Sequence, residues 1–121
     1  MNIESVKSLF RLFSGEDAED NSPLIELAAG EVRRMLLPGA DDSDVRLDFL
    51  AAAIANYRFV RIKASRDRTQ VTYAGKMLKN GEGSPCEAAA DLLREHIQLC
   101  SGLISAKTFI FAGYSGKEEV C

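Results

Sequence analysis

Val45-Arg46-Leu47-Asp48-Phe49-Leu50-Ala51-Ala52-Ala53-Ile54-Ala55-Asn56-Tyr57-Arg58-Phe59-Val60 is the stretch that decides the fold. Wound into a helix, it places apolar side chains on nearly every side, and a helix apolar all round needs neighbours on several sides. Its alanine run lets those neighbours approach closely. Asp41, Asp42, Ser43 and Asp44 precede it, supplying caps and negative charge where the helix dipole favours them. The spacing predicts a central helix over 44–65, about 33 Å long at 1.5 Å per residue.

The flanking sequence supplies the partners. Ile3, Val6, Leu9, Phe10 and Phe13 recur at helical spacing, with Leu12 widening the stripe, Asn2 as cap and Gly15 as stop. Residues 16–21 form an acidic loop that reads as a solvated linker, since it lacks the ordered ligand positions of a calcium loop. Ser22 and Pro23 open a second helix, with Leu24, Leu27, Ala28, Val32, Met35 and Leu36 as its inner face and Pro38-Gly39 as its end.

Ser84-Pro85-Cys86-Glu87 combines an N-cap serine, a proline at the first position and a glutamate at the third, the pattern of a capping box. It predicts a last helix running to about residue 104. Ala89, Leu92, Leu93, Ile97, Cys100, Leu103 and Ile104 face inward there, and His96 lies beside them as a half-buried packing residue.

Two segments change period. Over 68–80, Thr69, Val71 and Tyr73 alternate with Gln70 and Thr72, which predicts a short hairpin or ordered loop. Phe109, Ile110, Phe111 and Tyr114 then give the C-terminal segment a strand-like, aromatic composition. Such a segment needs its own bundle or a partner to cover it. The expected class is therefore mainly α: a helical bundle over 1–105 with an insertion at about 68–83, followed by an extended segment over 106–121.

With 121 residues, 46% of them hydrophobic, the chain can build one core but not two. The N-terminus lacks a basic stretch followed by an apolar block, so a cytoplasmic start and no secretory signal are expected. One histidine and three cysteines 14 and 21 residues apart match no zinc spacing, and the odd cysteine count argues for reduced thiols. No P-loop, Gly-x-Ser-x-Gly, Cys-x-x-Cys or His-Glu-x-x-His motif occurs. Enzymes are disfavoured, and no catalytic, metal or cofactor residue is expected.

The net charge of −3 conceals segregation. Residues 1–48 hold five basic and eleven acidic side chains, giving −6, and residues 81–121 hold three and six, giving −3. Between them, residues 49–80 hold seven basic side chains against Asp67 alone, giving +6. Within the basic 58–79 segment, Arg58, Arg61, Arg66 and Arg68 could neutralise phosphates, making a small DNA-binding regulatory module one reading. An acidic whole chain fits better with pairing inside the molecule or with head-to-tail contact between copies.

The acidic turn, the alanine-rich helix from Leu47 to Tyr57, the insertion Gln70-Val71-Thr72-Tyr73-Ala74-Gly75 and the Ser-Pro-started helix occur in an order that resembles the head–tail adaptor, or connector, proteins of long-tailed bacteriophages and prophages. The likeness covers roughly residues 20–104. It implies a structural virion subunit, about a dozen copies of which form a ring joining the portal protein to the stopper or tail-completion protein. DNA would pass through the ring without sequence-specific binding, no membrane would be involved, and the subunit would wait in the host cytoplasm before assembly. On this resemblance Phe109, Ile110, Phe111 and Tyr114 reach the portal. Arg58, Arg61, Arg66, Arg68, Tyr73 and Lys76 would meet a neighbouring subunit or the channel.

Overall fold

The computed structural model describes residues 1–70 and 85–105, with the backbone alone over 67–70. Four helices account for most of this: α1 (Ile3–Ser14), α2 (Ser22–Met35), α3 (Val45–Gln70) and α4 (Pro85–Leu99). Helix α3 is the hub and packs against each of the other three, while α1 and α2 also touch each other. This is the mainly helical bundle around a long central helix that the hydrophobic pattern predicts.

The ends of the helices follow from local chemistry. Asn2 Oδ1 accepts the backbone N–H groups of Glu4 at 2.9 Å and Ser5 at 3.4 Å. At the other end Gly15 takes the left-handed conformation at φ 75° and returns its N–H to Arg11 O at 2.8 Å. Asp44 caps α3 by accepting Arg46 N–H at 2.9 Å, and Asp41 accepts both the N–H and the hydroxyl of Ser43. Asn21, rather than Ser22, occupies the position before α2.

The central helix is longer than expected. It spans 26 residues, about 39 Å, and its backbone continues through residues 68–70, which the period-2 pattern had placed in the insertion. The β-branched Thr69 is tolerated in a helix at modest cost, and basic residues near a helix C-terminus complement its dipole. The rest of the expected insertion, residues 71–83, lies outside the described residues, as do Ser84 and the whole segment 106–121. Helix α4 conversely stops at Leu99, and its inner face continues through turns to an antiparallel bridge between Leu36 and Ile104. Leu37 N–H donates to Leu103 O at 2.9 Å and Ser105 N–H to Met35 O at 2.8 Å, clipping the end of α2 to the chain beyond α4.

Phe10, Ile25, Leu47, Leu50, Ile54 and Leu93 are the largest fully buried side chains. Full burial of a leucine such as Leu50 contributes roughly 1.5–3 kcal/mol. Ala51, Ala52, Ala53 and Ala55 are also completely covered, which lets three helices close on α3 from different sides. Two expected core residues point outward instead: Leu12 and Leu27 are 71% and 49% exposed. Helix α2 is turned so that Ile25, Ala28, Val32 and Met35 face inward, and Leu27, two residues from Ile25, lands on the far side.

Three polar groups are buried with the core: Asp48, Asn56 and His96. Asp48 Oδ1 accepts the Asn2 N–H at 3.4 Å, tying the start of α1 to α3. His96 is more deeply buried than expected. Its ring stacks on Phe49 (5.7 Å between centroids, 3° between planes) and lies beside Phe13, while Nδ1 sits 2.9 Å from Leu92 O. Cys100 is a free thiol, fully buried, with Sγ 3.4 Å from Arg46 O. Burial pushes its pKa up, outweighing the opposing effect of nearby Arg46. Cys86 is buried near the start of α4. Cys121 lies outside the described residues.

Candidate assembly surface

Burial along α3 falls off in steps. Leu47, Asp48 and residues 50–57 are buried, Arg58, Phe59 and Val60 are half-buried, and Arg61, Ile62, Lys63, Ser65 and Arg66 are exposed. Only Ala64 interrupts that exposed run. The last turns of the helix therefore extend past the body of the bundle as a basic overhang. At about 100° per residue, Arg61, Ser65, Ile62, Arg66 and Lys63 succeed one another around one side of it. Ile62, 45% exposed, sits between the two arginines.

The basic residues singled out by the sequence separate into different roles. Arg58 grips Glu31 of α2 with two hydrogen bonds, at 2.6 and 3.1 Å, and both side chains are about three-quarters covered (27% and 24% exposed). It joins α2 to α3, so part of the opposite charge is paired within the chain. Arg61 lies over the Tyr57 ring, 5.6 Å from its centroid, a contact of roughly 0.5–1 kcal/mol at an exposed site. Arg66 is exposed on the overhang, and Arg68 has its backbone in the helix but its side chain outside the description. Tyr73, Lys76, Phe109, Ile110, Phe111 and Tyr114 lie outside the described residues.

Carboxylates gather at the opposite end of α3 and in the loop after α1. The Arg46 side chain and backbone N–H hold Asp44 well below its usual pKa, at about 2, and the same pairing raises Arg46. Asp41 is lowered by the Ser43 N–H and hydroxyl. Glu16, Asp17, Glu19 and Asp20 are all exposed, and the Lys7 ammonium lies 3.5 Å from Glu19. Leu12, the most exposed large apolar side chain described, sits on the last turn of α1 just before this loop.

Sequence reasoning missed Ile62 and Leu12 as surface features. Ile62 had a signal, as an aliphatic residue within a run of charges. Leu12 had none, because its spacing from Phe10 and Phe13 also suits a wide buried stripe.

Among the described residues, no group of three or more His, Cys, Asp and Glu side chains could hold a metal ion. No described helix is long and apolar enough to cross a membrane. No protein-family model, curated protein or solved structure matches the chain.

Proposed function

We propose that the chain is a subunit of a phage head–tail adaptor ring, joining the portal to the stopper or tail and extending the DNA channel. The observation that carries this reading is the two-part central helix. Its first half is enclosed by three helices, and its second half leaves the bundle carrying a basic surface around Ile62. A part made to assemble needs a rigid body and a presented surface, and α3 supplies both in one element. The resemblance of the sequence over residues 20–104 to adaptor proteins supports the same assignment. In this reading Phe109, Ile110, Phe111 and Tyr114 reach the portal, and about a dozen copies close the ring.

Light scattering on the chain alone and mixed with a phage portal protein tests the proposal. The expected result is a complex containing portal and multiple copies of this chain. A chain that remains monomeric and separate from the portal at every concentration contradicts it. Retardation of duplex DNA that weakens steeply with salt would favour the DNA-binding alternative instead.

A further inference from the structure

We infer that the basic overhang of α3 docks on the Leu12 surface and acidic loop of a second copy of the same chain. This rests on the ring-subunit reading and names the two faces that make its contact. The overhang presents Ile62 between Arg61 and Arg66, with Lys63 at the edge. The other face presents Leu12 beside Glu16, Asp17, Glu19 and Asp20, with Arg11 as an exposed neighbouring cation and Lys7 paired to Glu19 at 3.5 Å, so that the loop keeps an excess of carboxylates. Each face has an exposed aliphatic side chain with charge around it, the pattern of an interface core and its rim. Their charges are opposite, so the occupant that matches the overhang is already encoded in the chain.

The geometry also sets the type of assembly. Two different faces meeting head to tail leave one of each face unused at the ends, so copies add until a ring closes. Like faces repel one another, which disfavours a two-fold dimer. The contact involves exposed charges, and exposed charges are screened beyond roughly 10 Å at 0.1 M salt. Association is therefore strongest at low ionic strength.

Two double variants test the inference by analytical ultracentrifugation at about 0.05 M and about 0.5 M salt. Arg61→Glu with Lys63→Glu disables the overhang, and Glu16→Lys with Asp20→Lys disables the loop. All four positions are exposed, so helix content by circular dichroism should remain that of the parent chain. The parent is expected to associate at low salt and to dissociate at high salt. Each variant alone should need at least about tenfold more protein to associate. Mixed in equal amounts, the two variants share one intact pair of faces and should stop at dimers. Replacing Leu12 with Ser should weaken the parent's association without changing its salt dependence.

A parent that stays monomeric at millimolar concentration and low salt overturns the inference. So do variants that associate like the parent, a mixture that remains monomeric, or an overhang that binds duplex DNA while failing to bind the chain. Binding to portal protein is read separately. Portal binding unaffected by these charges would overturn the docking and leave the ring reading standing, whereas docking without portal binding would do the reverse.

Discussion

The two halves of α3 share one helix and differ in almost every other respect. Between Leu47 and Tyr57 every residue but half-buried Phe49 is buried, and alanine, leucine and isoleucine predominate. From Arg61 to Arg66 it is charged and, apart from Ala64, exposed. The difference teaches that helix continuity and core formation have separate causes. Burial holds the first half in place, and the second half is helical because it continues an established helix, each further residue adding a bond without a new nucleus. An exposed helical overhang is the physical result.

Substitutions on the two sides should separate them sharply. The largest effect belongs to Leu50→Ala, which opens a cavity in a fully buried site and should cost about 2–5 kcal/mol in urea unfolding. Ala53→Leu comes next, forcing bulk into a covered position at a cost of about 1–3 kcal/mol. The matching change on the overhang, Ile62→Ala, should move stability by no more than about 0.5 kcal/mol. Equal losses at Leu50 and Ile62 would break the comparison.

The ends of the buried half sharpen it further. Asp44→Ala removes the cap of α3 and should lower stability in urea unfolding at neutral pH. Because Asp44 has its pKa lowered in the fold to about 2, its stabilising effect is complete above the ordinary value of 3.8 and is lost as pH falls toward about 2. The Asp44→Ala loss should accordingly shrink in acid unfolding over that window. A loss that stayed constant from pH 5 to about 2 would contradict the capping role.

At the boundary between the halves, Arg58 and Glu31 form a pair worth about 1 kcal/mol in a double-mutant cycle. Arg61 and Glu31, which share no contact among those described, should show a coupling near zero by the same measurement. The smallest effect is chemical rather than energetic. Cys100 is buried with its pKa raised, so alkylation at pH 8 should await unfolding. Rapid labelling of the native chain at Cys100 would show that α4 does not close on α3 as described.

Much of this architecture was legible because its signals are local. The apolar wheel around Leu47–Tyr57, the Asn2 and Asp44 caps and the Gly15 stop each depend on residues within a turn or two. Features that depend on how helices are turned against one another were not. Leu27 lies outside and Ile25 inside because of the rotation of α2, which a stripe of alternating aliphatic residues leaves open. Arg58 was readable as a cation and not as Glu31's partner, since 27 residues separate them. The end of α3 was placed too early because Thr69 and Val71 suit a strand, although continuing an existing helix costs less than starting a hairpin.

Buried Asn56 marks the remaining tension in the core. Its Oδ1 has no hydrogen-bond partner among the described residues, although the residue is only 4% exposed. An unsatisfied buried acceptor carries a desolvation cost of about 1–3 kcal/mol.

Hydrogen–deuterium exchange on the free chain and on its complex with portal protein tests the two-part helix most directly. The account predicts that backbone amides over 61–70 exchange readily in the free chain and become protected on assembly, while those over 50–57 are protected in both. A complex that forms with the amides of 61–70 unchanged would contradict the assignment of the overhang as the assembly surface.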